Sequence, residues 1–466
     1  MIQMTLGEVQ SAIGGAVHGD QATLVTGSVE TDSRLVQTGS LFFAKPGEVT
    51  DGHNFLASAK SLGATAAVVE RYADEVDLPQ LVVANVVQAL GLLAKFVLQK
   101  LRDQGDLKVI AVTGSNGKTT TKNMLRNILQ HVGETVAPIE SYNNEVGAPI
   151  SILKITAQTK FLVVEMGAGG PGTIRYLTEI AQPDIAVVLK VGMAHAGEFG
   201  GIESTAAMKA ELVEALGDGD LAILNSDDSM VSAMANVTKA RTIWFGTSAS
   251  AGYRADGQNV SIEGTTFNLH WPDATSSVVT LQILGEHHVM NALASATVAD
   301  QLGVSRALIV SALEAMPLAE RWRMQLTHRA DGVAVINDAY NASPDSMKAA
   351  LQTLAQLGKT GRRTIAVLGE MAELGEFSKF EHDHLGRLVV RMNIKLLLVV
   401  GAAAKLIHMG ATQEGSYDGE SKFFESIDEA LAYLRGMLTS GDIVLVKSSK
   451  SANLRHLGDD LVEAEA

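Results

Sequence analysis

From residue 108 onward, short apolar runs alternate with helix-length amphipathic stretches. Lys108 to Val112, Phe161 to Val164, Ile185 to Val191 and Leu221 to Leu224 are rich in Val, Ile and Leu, and each precedes a segment with helical spacing. That pattern predicts parallel strands buried on both faces by helices. Tyr253 to Leu284 instead alternates polar and apolar positions, as in Thr266-Phe-Asn-Leu-His-Trp271, which predicts antiparallel strands appended to the same sheet. Two helices then lead to Met316-Pro317. Beyond the proline, strands at Val333 to Ile336, Thr364 to Leu368, Leu396 to Val400 and Ile443 to Val446 alternate with helices, predicting a second doubly wound unit. Before residue 105, short strand and helix patterns end in the helical Val86 to Leu98 and the polar link Arg102 to Asp106. The expectation is an α/β protein of three domains, 1–105, 106–317 and 318–466.

Composition agrees with that division. A chain of 466 residues, 46% hydrophobic and 19% charged, at roughly 150 residues per domain, suggests three cores. The net charge of −15 disfavours non-specific attachment to nucleic acid or an anionic membrane, so anionic ligands must meet local positive charge. The absence of cysteine excludes disulfides, thiolate metal sites and cysteine nucleophiles, leaving oxygen or imidazole for any metal. The start lacks a basic region followed by an apolar stretch, and no apolar run of about 18 residues occurs, so a cytoplasmic chain without membrane insertion is expected.

The chemistry is concentrated in Val109-Ile-Ala-Val-Thr-Gly-Ser-Asn-Gly-Lys-Thr-Thr-Thr-Lys122, an apolar strand running into a Gly-Lys-Thr turn and a helix. Gly114 and Gly117 let the backbone approach phosphates, the helix start supplies amide donors, Lys118 adds charge and Thr119 can hold Mg²⁺. Val112 stands where the standard pattern has its first glycine, so the loop is a shortened variant. ATP is the expected ligand. The fold expectation is therefore a central parallel-sheet P-loop ATPase-like domain, flanked by a smaller α/β N-terminal domain and a Rossmann-like C-terminal domain.

Ligands of open α/β sheets bind beyond strand ends, which singles out three further residues. Glu165 follows Leu162-Val-Val164 and could hold Mg²⁺, although a solvated loop carboxylate is the plainer alternative. His195 lies just past another strand, where imidazole could meet a metal or a phosphate, or serve only structurally. Lys209 has Ala206, Leu212 and Val213 as helical neighbours. Spacing alone makes it a snorkelling surface lysine, whereas partial burial would favour a neutral amine able to form a carbamate with CO₂ and so bind Mg²⁺.

In order and spacing, the shortened P-loop, Ser141-Tyr-Asn-Asn-Glu-Val-Gly-Ala-Pro149 and the Glu165 and His195 segments resemble the Mur ligase family. Asn337-Asp-Ala-Tyr-Asn-Ala-Ser-Pro-Asp-Ser-Met347 and Leu368-Gly-Glu-Met-Ala-Glu-Leu-Gly-Glu376 look like the versions in the member that handles D-alanyl-D-alanine. The resemblance implies an ATP-dependent amide ligase acting on UDP-N-acetylmuramoyl-tripeptide and D-alanyl-D-alanine through an acyl phosphate; a monomer is expected, although the sequence does not fix the oligomeric state. It implies nucleotide contacts by Gly114, Asn116, Gly117, Lys118, Thr119 and Thr120, by His287 and Asn291, and by Arg323, Asp338 and Asn341. It places Mg²⁺ at Thr119 and Glu165, with His195 and a carbamylated Lys209 at or near a second ion, and makes Lys118, Lys209 and His195 catalytic. Substrate contacts fall to Asp32, Ser33, Arg34, Lys45, Asp51, Gly52, His53, Asn143 and Asn144. The base that deprotonates the amine stays unassigned.

The family's usual pattern is broken at Lys190, where asparagine is expected, at Gly169-Gly170, and at Lys447-Ser-Ser-Lys450. A folylpolyglutamate synthetase, another Mur ligase and a P-loop switch that only hydrolyses ATP are the competing readings.

Overall fold

The computed structural model describes residues 1–47, 50–138, 141–193, 200–316 and 321–463. His195 and the expected boundary at 317–318 lie outside the described residues.

Among the described residues the central sheet has nine strands, in spatial order Ser276–Leu281, Gly264–His270, Tyr253–Ser261, Arg241–Gly246, Leu221–Asn225, Ile185–Val188, Lys108–Thr113, Thr159–Glu165 and Glu134–Val136. The P-loop strand is flanked on both sides by parallel neighbours, with Val163 opposite Ile110 and Val187 opposite Val112. Successive residues of these strands face opposite cores. Ile110 and Val112 pack with Met124, Leu125 and Ile128 of the helix after the P-loop. Val109 and Ala111 pack with Ile174, Leu177, Leu212 and Val213 on the other face. Two-sided burial is why these strands read as continuous apolar runs, and truncating one such side chain, as in Ile110→Ala, costs about 3 kcal/mol.

The appended strands behave as their alternation predicted, with one difference. Gly264–His270 pairs antiparallel with both neighbours, but Tyr253–Ser261 joins Arg241–Gly246 in parallel.

In the N-terminal region, Ala16–His18, Gln80–Val82, Ala66–Val69, Leu41–Phe43 and Val29–Glu30 form a five-stranded sheet, parallel except at its first pairing. The helix Val86–Arg102, capped by the Asn85 side chain, runs further than the pattern indicated. Its apolar face shares one core with the central domain. Arg102 in the polar link donates to Gln182 O (2.6 Å) and Asp184 Oδ1 (2.7 Å), so the link is pinned to the central sheet.

The third sheet orders Gln325–His328, Ala334–Asn337, Ile443–Lys447, Thr364–Leu368, Leu396–Val400 and Glu420–Phe424, with an antiparallel first pairing and parallel pairing thereafter. The last strand in sequence inserts between the second and fourth of these, so Asn337 and Val446 sit side by side at the carboxyl ends. The edge strands Gln325–His328 and Glu420–Phe424 carry no buried residue, which is why periodicity did not reveal them.

Candidate active site between the central and third domains

The P-loop begins where Thr113 leaves the sheet. Gly114 has φ +152°, and a Cβ there would lie 3.0 Å from Leu189 Cβ; Gly117 has φ +89°, and a Cβ there would run into Asn291 Oδ1. Only glycine satisfies both demands. The helix starts immediately afterwards at Lys118, leaving its first amides aimed at the loop. The Lys118 ammonium donates to Gly114 O at 2.8 Å. Burial pushes its pKa down, opposed by Glu165 and reinforced by Arg323.

Next to Lys118, the Thr119 hydroxyl donates to Glu165 Oε2 (3.0 Å), and Asn143 Nδ2 donates to Oε1 (3.0 Å). Glu165 is 1% exposed, yet no described residue forms an ion pair with it. A buried carboxylate whose described hydrogen bonds come from neutral donors, with the Lys118 charge nearby, suits a divalent cation beside it. Thr119 and Glu165 therefore fit a hard divalent ion that completes its shell with phosphate oxygens and water. Among the described residues, no group of three or more His, Asp or Glu side chains could hold an ion unaided.

Lys209 is a correction to the spacing argument. It is 4% exposed rather than a surface lysine, because its helix Ile202–Glu214 packs against Lys108–Thr113, Ile185–Val188 and the helix Thr173–Ala181. Burial, with the nearby Lys118 charge, lowers its pKa to about 7.

Across the cleft, the third domain brings Arg323, Asp338, Tyr340 and Asn341 to a cavity of about 310 Å³, which Ser115 to Thr120, Asn143, Glu165, His287, His288 and Asn291 also line. Arg323 Nη2 donates to Ser141 Oγ (3.1 Å), whose hydroxyl lies 3.2 Å from Thr119 Oγ1, while its guanidinium stacks 4.3 Å from the Tyr340 ring. Asp338 is ion-paired to the buried Lys447 at 2.6 Å, and Lys447 also donates to Asn341 O (2.9 Å). Lys190 bridges the domains to Asp345 at 3.0 Å. Burial lowers the pKa of His287 to about 4 and that of His288 well below its ordinary value. Both rings are therefore neutral near pH 7, suited to a nucleoside rather than to phosphate charge.

Family models match most of the chain: "Mur ligase family, catalytic domain" over residues 26–97, "Mur ligase middle domain" over 112–299 and "Mur ligase, glutamate ligase domain" over 322–450. A UDP-N-acetylmuramoyl-tripeptide--D-alanyl-D-alanine ligase from Mycobacterium leprae is 42% identical, covering 99% of each chain. The chain belongs to the Mur ligase family. A crystal structure of MurF from Acinetobacter baumannii superposes with a TM-score of 0.89 at 34% identity over 99% of both chains. MurF from Thermotoga maritima in complex with ADP gives 0.81 at 27% identity, covering 95% of this chain and 99% of that one.

Of the substrate-side candidates of this Mur ligase, Asn143 lines the cavity, while those of the N-terminal region lie apart from it, at the carboxyl ends of parallel strands. Asp32 to Arg34 follow Val29–Glu30, and Lys45 and Asp51 to His53 follow the adjacent Leu41–Phe43. His53 Nε2 accepts from Glu70 N (3.1 Å), so Nδ1 carries the proton shared with Asp51 at 2.7 Å. Asp51 also pairs with Arg71 at 2.6 Å, and Arg34 is exposed and tied to Asp32. Gly52 passes so close to Lys45 that a Cβ would lie 2.6 Å from its amide nitrogen. Asn144 does not line the cavity; its side chain accepts from Gly147 N (2.8 Å) and shapes the turn.

Ser141, His288, Tyr340, Asp345 and Lys447 also line the cavity but were not singled out from sequence. Lys447 had a usable signal, since it ends an apolar strand where ligands of such sheets bind. Tyr340 stands within the Asp338 to Asn341 segment. Nothing local marks Ser141 as a partner of Thr119.

Proposed function

We infer that this Mur ligase joins D-alanyl-D-alanine to UDP-N-acetylmuramoyl-tripeptide at the expense of ATP. The observation that carries the reading is the cavity itself: a glycine-shaped phosphate loop with Lys118, Thr119 and Glu165 on one wall, and Arg323, Asp338 and Asn341 on the other.

A carboxylate oxygen is a poor leaving group, so the substrate carboxylate attacks the ATP γ-phosphorus, ADP departs, and an acyl phosphate forms. The dipeptide's amine then attacks the acyl carbon and phosphate leaves. Lys118, the loop amides and Arg323 stabilise charge on the transferring phosphoryl group. Mg²⁺ held by Thr119 and Glu165 would neutralise further phosphate charge when bound. Glu165 is oriented for this by Asn143. We place a carbamate on Lys209, whose low pKa leaves much of the amine neutral near pH 7. His195, assigned by the family resemblance alone, would serve a second ion with it. Asp32 to Arg34, Lys45, Asp51 to His53 and Asn143 hold the uridine nucleotide substrate. Because one chain supplies the whole cavity, the reading requires only a monomer, and a cytoplasmic location matches the supply of ATP. Among the described residues, no helix is long and apolar enough to cross a membrane.

The test is phosphate release with each substrate omitted in turn. Turnover requiring both the tripeptide nucleotide and D-alanyl-D-alanine supports the assignment, and turnover with glutamate in place of the dipeptide rejects it. ATP hydrolysis independent of both would favour the switch reading.

A further inference from the structure

Arg323 enters the cavity from a turn with an unusual backbone. Trp322 and Met324, its two neighbours, both have positive φ (65° and 48°), a region that bulky L-residues avoid unless their surroundings impose it. Three of the contacts that impose it come from nearby residues. Gln325 Oε1 accepts from Trp322 N (3.0 Å), Asp338 Oδ1 accepts from Met324 N (2.9 Å), and Trp322 O accepts from Tyr340 N (3.2 Å).

The fourth contact comes from the far end of the chain. Asp459, on the helix Leu454–Glu463, accepts the Trp322 indole Nε1–H at 2.9 and 3.1 Å. The same carboxylate takes Arg321 Nη2 (2.8 Å) and Asn337 Nδ2 (3.2 Å), and its side chain is 15% exposed. The helix can come this close because residue 458 is glycine; a Cβ there would collide with Asn337 Nδ2. The indole is further flanked by the Arg321 and Arg455 guanidiniums at 4.8 and 5.4 Å. Asp459 lies beyond the residues that the family models match.

We propose that Asp459 is a positioning residue: by gripping the Trp322 indole it holds the Trp322 to Met324 turn in its left-handed form and thereby aims Arg323 at the nucleotide. The proposal rests on the reading that Arg323 contacts ATP. A merely structural Asp459 would pin the last helix without affecting nucleotide binding.

ATP saturation curves on the full chain, with the other substrates saturating, separate these. Trp322→Phe removes the N–H together with part of the ring that Arg321 and Arg455 flank, and is expected to raise KM for ATP about fivefold, less than the full effect of one hydrogen bond to a charged partner because it reaches the nucleotide only through Arg323. KM for the tripeptide nucleotide stays within about twofold, since no contact in that region changes. Arg323→Gln alone raises KM for ATP about tenfold, and adding Trp322→Phe to it changes KM by less than about twofold, because both act through the same guanidinium. Asp459→Asn, which keeps an acceptor for the indole, is expected to fall between wild type and Asp459→Ala in KM, and the pair serves the same comparison should Trp322→Phe fold poorly. The proposal is overturned if Trp322→Phe lowers the melting temperature but leaves KM for ATP at the wild-type value, or if its effect multiplies undiminished onto Arg323→Gln. A wild-type KM for Arg323→Gln alone would instead overturn the ATP-contact reading beneath it.

Discussion

On the central domain's side, the cavity is built from loop backbone and from buried groups with few partners, whereas the third domain's side is built from long side chains fixed by ion pairs and ring contacts. Among the described residues, Lys118 hydrogen-bonds to Gly114 O and Glu165 to a hydroxyl and an amide, and the two charges act on each other. By contrast, Asp338 is clamped by Lys447 and Arg323 is stacked on Tyr340. The central side stores unmet electrostatic demand, which a charged ligand can satisfy. The third side has met its demand internally and offers position instead. Removing a group from the first side should therefore damage chemistry, and removing one from the second should damage stability or affinity.

The sharpest contrast comes from two lysines. Lys118→Ala is expected to lower kcat about a thousandfold, comparable to losing a preorganised charge-stabilising donor, with the fold intact by circular dichroism and melting. Lys447→Met should instead destabilise the protein by about 3 kcal/mol in urea unfolding, because it leaves the Asp338 carboxylate largely buried without its cation. Adding Asp338→Asn to Lys447→Met should recover much of that stability. An equally large loss in the double variant would break the comparison.

Lys209 extends the first class to pH. Its folded pKa of about 7 lies below the ordinary 10.5, so between those values the unfolded chain binds a proton that the folded chain does not. Stability should therefore rise with pH across that window, by up to about 1.4 kcal/mol per unit. In CO₂-free buffer, Lys209→Met should lose that contribution; unfolding curves with the same pH dependence as wild type would contradict the burial argument.

The smallest effect belongs to Lys190, whose pair with Asp345 spans the domains but is half exposed. Exposed pairs contribute about 0.5 kcal/mol, so Lys190→Asn should change KM for ATP by no more than about twofold. A large rise would move Lys190 into the binding machinery.

What could be seen in the sequence follows the same division. The P-loop is a local object: strand, glycines, lysine and threonine occur in one stretch, and two-sided burial writes itself into continuous apolar runs. Glu165 and Lys447 can be found by asking what ends each buried strand. The partner of Thr119 at Ser141 and the grip of Asp459 on Trp322 join segments far apart in sequence, so no periodicity records them. Lys209 fails for a related reason. The apolar stripe placed its stem correctly, but what covers its Nζ belongs to other elements, and a snorkelling lysine and a buried one have the same helical neighbours. The third-domain candidates Arg323, Asp338 and Asn341 came from resemblance, since an isolated Trp-Arg-Met or Asp-Ala-Tyr-Asn carries little chemistry by itself.

Tripeptide substrate carrying oxygen-18 in its terminal carboxylate distinguishes activation of that carboxylate by ATP from mere hydrolysis. With an acyl phosphate intermediate, one labelled oxygen appears in the released phosphate, in step with amide formation. Unlabelled phosphate from that substrate, with oxygen from labelled solvent water entering it instead, would contradict it.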